Sequence, residues 1–567
     1  MSNLSSLPEK ATEMLEWSWS QFEPYYAELA GRKLSAANVE AFLADWTRLH
    51  ERLDEVATRL GIAKDANTAD KDAEQRFNTF LEEIYPKSQE AEQKLKMLLL
   101  DSGLKPAGFE LPLKKMQTDA SLFREANLPL QVESAKLGTE YSKVIGGQTV
   151  QWDGKEVTVT QLRPVFQETS RARREQAWRL AAKRQLADRV ALNELWQKLL
   201  ALRLQMATNA GFADYRSLVW QEMLRFDYTP ENCKQFHRAI EETVVPAAAR
   251  SYQRKARQLG VDSLRPWDLD VDAQGRPALV PFKGVEQFKS GVHTILQRVD
   301  PQLGGYFQTM MNEQMLDLEN RNNKAPGGYC ATLDAVKRPF IFMNAVGMHG
   351  DVMTLIHESG HACHSFEASR LPYFQQRNSG LEFAEVASMG MELLAAPYFA
   401  KDAGGFYTRD EAARAFAENL EKNIQFWPYM AVVDGFQHWV YENPVAAAEP
   451  ANCDRQWAQL WRRFMAGVDW SGLEDVLETG WQRKLHIFLA PFYYVEYGLA
   501  QLGAAQVWAN ALKDQAGAVV AYRRALALGG TKSLPELYAT AGAKFAFDSA
   551  TLGPIVSLME EKLAAGA

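Results

Sequence analysis

The chain has 567 residues, of which 47% are hydrophobic and 24% charged, with a formal net charge of −8 at pH 7. That mixture excludes a generally disordered chain and is enough for a large core divided into two or more lobes. The acidic balance argues against the basic face that nucleic-acid binding needs.

The first residues, MSNLSSLPEKATEMLEWSWS, have no basic start followed by an apolar core, so no secretory leader is expected. From Glu9 to about Leu104 the pattern is helical. Val39, Phe42, Leu43, Trp46, Leu49, Leu53 and Val56 recur at the three-and-four spacing of one amphipathic face. The polar stretch AKDANTADKDAEQR reads as a loose connection before further helix to Leu100. Long helices joined by short turns predict an antiparallel helical arm over residues 1–110. Within 111–190 the period shifts to two in QTVQWDGKEVTVTQL, where Asp153-Gly154 supplies the positive φ angles of a hairpin turn. A helical run then extends from Ser170 to Ala210 and ends at NAGF. Gly260 and SLRPWDLD mark a connector, and the stretch from Pro281 to about Arg321 reads as helix. APGGYCATL and RPFIFMN are short β-type runs, and the rest of the chain to its C-terminus is mostly helical in pattern. The four cysteines, Cys233, Cys330, Cys363 and Cys453, form no CxxC pair, which favours reduced thiols in a cytoplasmic protein. No run of about 18 apolar residues occurs, so no membrane span is expected. The predicted fold is mainly α, two-lobed, with a small β-sheet beside a histidine-rich helix.

That helix is DVMTLIHESGHACHSFEA, which holds three of the chain's nine histidines. His357-Glu358-Ser359-Gly360-His361 is an HExxH motif. Residues four apart share a helix face, so both imidazoles can reach one ion. Glu358 lies about 100° round the helix from His357, placed to reach a water rather than to bind the ion. Neutral imidazoles at this spacing suit Zn²⁺ with one position open. The metzincin pattern is excluded, because His364 and Glu367 stand where that motif needs Gly and His. His364 is separated from His357 by about 10 Å of helix rise, which makes it a supporting or core histidine rather than a ligand. The next helix, LEFAEVASMGMELL, carries Glu385 and Glu392 two turns apart on one face among apolar neighbours. A carboxylate there must be exposed, paired or coordinating. Spacing alone leaves Glu367, Glu382, Glu385 and Glu392 all open as the third ligand.

RPWDL, GGYC, PFIFMN, VVDGFQHWVYENP and WQRKLHIFLAPFYYVEYGLA occur in this order, together with HExxH and AEVASMGME. From about Thr158 onward the chain thereby resembles the oligoendopeptidase F and thimet oligopeptidase group of zinc metallopeptidases, in its oligoendopeptidase F branch. The arm is similar only in helical character. The resemblance implies a catalytic domain over 191–567 and one Zn²⁺ per chain, held by His357, His361 and Glu385, with Glu358 as general base. It implies that Glu392 hydrogen-bonds a ligand histidine, and that His486 with Tyr494 and Tyr497 holds the substrate carbonyl. Gly327, Gly328 and Tyr329 of the edge strand would pair with an extended peptide, and Tyr493 would line its path. The expected activity is hydrolysis of internal bonds in short oligopeptides, within a deep cleft floored by the HExxH helix, with no nucleic-acid or membrane partner. Two alternatives stand beside it. A carboxypeptidase would need a basic residue for the substrate's terminal carboxylate, whereas a non-catalytic peptide binder would have no use for Glu358.

Overall fold

The structure is a computed structural model that describes residues 3–565. It is predominantly helical, with five short strands among the described residues. The helices that bear on function are α1 (Val39–Ala66), α2 (Pro230–Leu259), α3 (His349–Ala368), α4 (Leu381–Ala395), α5 (Arg409–Glu442), α6 (Leu485–Leu489), α7 (Tyr494–Ala511) and α8 (Gln515–Leu526). The strands are β1 (Thr149–Trp152), β2 (Lys155–Thr158), β3 (Leu316–Glu319), β4 (Tyr329–Leu333) and β5 (Arg338–Ala345). Two compact units share the chain. One comprises the chain up to Ser121, Leu279–Phe416 and Ala500–Phe545; the other comprises Leu122–Ala278, Ala417–Leu499 and the chain from Ala546.

In the first unit α1 buries the whole predicted stripe from Val39 to Val56. The loose connection shrinks to Asn67–Asp70. Ala, Lys, Glu, Gln and Arg on either side are good helix formers, and the Asp70 carboxylate caps the next helix by accepting from the N–H groups of Asp72 and Ala73. The predicted helix to Arg321 also stops early. Helix ends at Asn312, Gln314 takes a φ of 58°, and Leu316–Glu319 becomes β3. This strand was hidden because four residues carry too little periodicity; it exists by pairing in parallel with β5. The sheet order is β3-β5-β4, so β4 is an edge strand, antiparallel to β5 with Tyr329 opposite Phe342 and Leu333 opposite Arg338. Both β4 and β5 lie against α3, which packs along α4 and α8.

In the second unit the β1–β2 hairpin turns through Asp153 and Gly154 at φ 47° and 76°. Both angles are positive, as a two-residue turn matched to strand twist requires. The Ser170–Ala210 run is two helices, Arg171–Ala187 and Arg189–Ala210, separated at Asp188, whose carboxylate accepts from Arg184 and Gln148. In the connector, buried Asp268 accepts from both Arg171 and Arg174. No helix among the described residues is long and apolar enough to cross a membrane.

The contact that sets the first unit's geometry is at Gly360. A Cβ added there would lie 2.5 Å from the Ala387 carbonyl oxygen and 2.6 Å from Ser388 Cα, so α3 and α4 touch backbone to backbone. In an isolated helix Gly→Ala stabilises by up to about 1 kcal/mol. Gly360→Ala is expected to do the reverse here, costing about 1–3 kcal/mol through overpacking. A thermal melt checks this; an unchanged or raised Tm would show that the two helices can separate freely.

Candidate metal centre

Asp351 fixes where α3 begins. Its Oδ2 accepts from the N–H groups of Val346, Gly347 and Met348 at 2.8, 2.8 and 2.9 Å, satisfying donors at the helix start. Two turns later His357 and His361 present their rings on one face, with centroids 5.0 Å apart and planes at 85°. Glu385 enters from α4, its Oε2 3.5 Å from His357 Nε2 and 3.8 Å from His361 Nε2. One donor atom from each of the three lies within 4.8 Å of the other two. Zinc bonds of about 2.0–2.1 Å at a tetrahedral angle would put such atoms ~3.3 Å apart. The triangle is therefore close to the size an ion needs.

The register of α4 explains the second carboxylate. Two turns beyond Glu385 on the same face, Glu392 Oε1 is 2.7 Å from His357 Nδ1. A proton on Nδ1 is held there, which leaves the Nε2 lone pair directed to Glu385 and His361. Burial works against a charged His357, but the hydrogen bond and charge of Glu392, with Glu385 and Glu358, push its pKa up to about 9. Burial and then the adjacent His357 bring His361 down to about 3. Burial also raises Glu385 and Glu358, the latter against the opposing pull of His357 and the Cys330 backbone N–H. Among the described residues no Lys or Arg forms an ion pair with Glu358, Glu385 or Glu392. Desolvated carboxylates and two imidazoles with no cationic side chain form a donor set that fits a divalent metal ion.

The remaining candidates divide. Glu367 pairs with Arg523 at 2.9 Å and Arg370 at 3.1 Å, away from the triangle. His364 is buried against Phe383, its Nε2 has no hydrogen-bond partner among the described residues, and burial takes its pKa down to about 4. Gly327 and Gly328 precede β4, and the Gly327 carbonyl accepts from Asn344 at 3.0 Å. Tyr329 opens β4 with its ring stacked on Phe342 and its hydroxyl donating to Asp65 of α1 at 3.2 Å. Thr332 and Ser365, their hydroxyls 3.1 Å apart, tie β4 to α3.

His486, Tyr493, Tyr494 and Tyr497 belong to the second unit and form one aromatic cluster there. Ring centroids of the three tyrosines lie 5.7, 4.9 and 6.0 Å from that of His486. Its Nδ1 is buried without a hydrogen-bond partner among the described residues, and burial, then Lys484, bring its pKa down to about 4. The turn before α7 carries a feature that sequence reasoning did not find. Phe492 has a φ of 66°, rare for a bulky side chain, and is held by its N–H to Gln437 at 2.7 Å and its carbonyl to Arg225 at 2.6 Å. Those partners lie 55 and 267 positions away, so no local pattern announces them. Lys484, also missed, places its ammonium 3.7 Å over the Tyr494 ring.

A relative in Mycoplasma pneumoniae, an oligoendopeptidase F homologue, is 29% identical over 140 residues, 24% of this chain and 22% of that protein. The solved structure of PZ peptidase A with an inhibitor is similar over 99% of both chains, with 25% identity and a TM-score of 0.85. A structure assigned to oligoendopeptidase F is similar over 100% of this chain and 99% of its own, with 25% identity and a TM-score of 0.86. Residues 165–554 match the profile of Peptidase family M3, a span that includes α3, α4 and the His486 cluster; the chain belongs to that family.

Proposed function

We propose that the protein is a zinc-dependent endopeptidase that hydrolyses internal bonds of oligopeptides. The observation that carries this is the convergence of His357, His361 and Glu385 beside Glu358, without a cationic side chain to neutralise them. A zinc ion bound by those three residues would supply a Lewis acid and acidify a water at neutral pH. The chain's own groups do the rest. Glu358 is off the ligand triangle, and burial raises its pKa, which suits a carboxylate that takes a proton and returns it to the leaving amine. Glu392 holds the His357 proton on Nδ1 and so keeps Nε2 available as a donor.

His486, neutral above its pKa of about 4, donates an N–H to the carbonyl oxygen as negative charge builds on it, with Tyr494 or Tyr497 as a second donor. The β4 edge, entered through Gly327 and Gly328, pairs with the backbone of an extended peptide, and Tyr493 lines its path. Recognition through main-chain atoms makes the side-chain preference broad. None of the four cysteines forms a disulfide, in keeping with a cytoplasmic setting.

The test is mass spectrometry of a peptide acetylated at one end and amidated at the other. Internal fragments are expected, whereas a carboxypeptidase would leave the peptide intact. Glu358→Gln should keep its zinc and lose turnover, because the carboxylate is a base and not a ligand; full activity in a zinc-loaded, homogeneous sample would sink the mechanism. Glu392→Ala should weaken zinc binding by about 10–100-fold in a chelator competition. An affinity equal to wild type would mean the hydrogen bond to His357 does not tune the site. His486→Phe should lower kcat by about 10²–10³ with normal zinc content. A change confined to KM would make His486 a ground-state binding residue instead.

A further inference from the structure

The segment VVDGFQHWVYENP plays no part in the peptidase centre, yet it contains a second set of metal-binding side chains. Asp434 and His438 stand one turn apart on α5, and Cys233 and His237 stand at the same spacing on α2, all in the second unit. One donor atom from each of Cys233, Asp434 and His438 lies within 4.8 Å of the other two, the compactness found at His357, His361 and Glu385. His237 Nε2 is 2.8 Å from Asp434 Oδ2. Asp434 Oδ1 is buried with no hydrogen-bond partner among the described residues, and His438 Nε2 lies 3.3 Å from Asp434 Oδ2. All four residues are at most 7% exposed and are enclosed by the rings of Trp220, Phe464 and Phe492. Buried polar atoms are nearly always satisfied, so an orphaned carboxylate oxygen among imidazoles and a thiol points to a missing partner.

We propose that Cys233, Asp434 and His438 form a second zinc site, structural rather than catalytic, with His237 supporting the Asp434 carboxylate. A thiolate and a carboxylate balance the charge of a divalent ion, and a sulfur–nitrogen–oxygen set favours zinc over magnesium or calcium. His237 holds one carboxylate oxygen and leaves the other for the ion, as outer hydrogen bonds to metal-binding carboxylates do. A fourth position is left for a small ligand such as water. Burial keeps a peptide out. Arg216 Nη1, 3.2 Å from His438 Nδ1, also bonds Glu442. With the ion on Nε2 the imidazole proton moves to Nδ1, and Arg216 keeps Glu442 alone. The ion would clamp two helices whose ligands are some two hundred residues apart in sequence.

The experiment is a zinc count per chain on purified full-length protein, repeated on His357→Ala/His361→Ala and on Cys233→Ser/Asp434→Asn. Two equivalents are expected in the wild type and one in either double variant. Cobalt substitution adds a signature that does not depend on the Cys233 variant folding. A thiolate-to-cobalt charge-transfer band should appear in the near ultraviolet in the wild type and persist in His357→Ala/His361→Ala, since the peptidase centre has no sulfur. A single equivalent that His357→Ala/His361→Ala loses, with no such band, would overturn the proposal and leave the cluster a hydrogen-bond network. A single equivalent that survives that variant would uphold it and refute zinc at the peptidase centre.

Discussion

The candidate metal centre depends on how closely α3 can approach α4. At most positions two helices are held apart by their side chains, with axes about 8–10 Å apart. Gly360 and the small residues Ala387 and Ser388 remove that spacer where the helices meet. Closeness brings the carboxylate of Glu385 to the Nε2 side of the imidazoles, and the helical repeat then carries Glu392 to the Nδ1 side of His357. One packing contact thus places both carboxylates at once.

The charge of the site is a consequence of that packing. Elsewhere in the chain buried Asp268 meets Arg174 and buried Glu496 meets Arg225, while half-buried Asp317 meets the enclosed Lys324. Such pairs offset the desolvation of each partner. Glu358, Glu385 and Glu392 differ in meeting no guanidinium or ammonium, and burial raises the pKa values of Glu358 and Glu385. A protein can hold such a group of acids together when something else completes the charge balance. The same comparison singles out Asp434, which has two imidazoles within reach and still leaves one oxygen unsatisfied.

How much was legible in the chain depends on whether the determinant is local. The HExxH spacing, the α1 stripe and the Asp153-Gly154 turn are written within a few residues, and each could be read directly. The split at Asp188 and the four-residue β3 were not, because one rests on a single interrupted turn and the other on a partner strand. Glu385 illustrates the boundary. Spacing narrowed the third position to four glutamates, and a family resemblance pointed to one of them. What separates Glu385 physically from Glu367 is a crossing of two helices and the presence of Arg523 on α8, neither visible in sequence. The Phe492 turn and the Cys233–His438 cluster lie further beyond reach, since their partners are scattered over the second unit.

The arm reaches the sheet through two carboxylates of α1. Glu55 accepts from the Val336 N–H at 3.0 Å in the β4–β5 turn, and Asp65 accepts from Tyr329 at the other end of β4. An edge strand with both ends pinned is kept in register by a helix that lies outside the segment matching the family profile. The demands on that helix are few: an apolar face and an acid at each of two places. Its sequence can therefore drift over evolutionary time while its position is kept. This would let the whole chain superpose on distant structures even where the alignment of letters has faded.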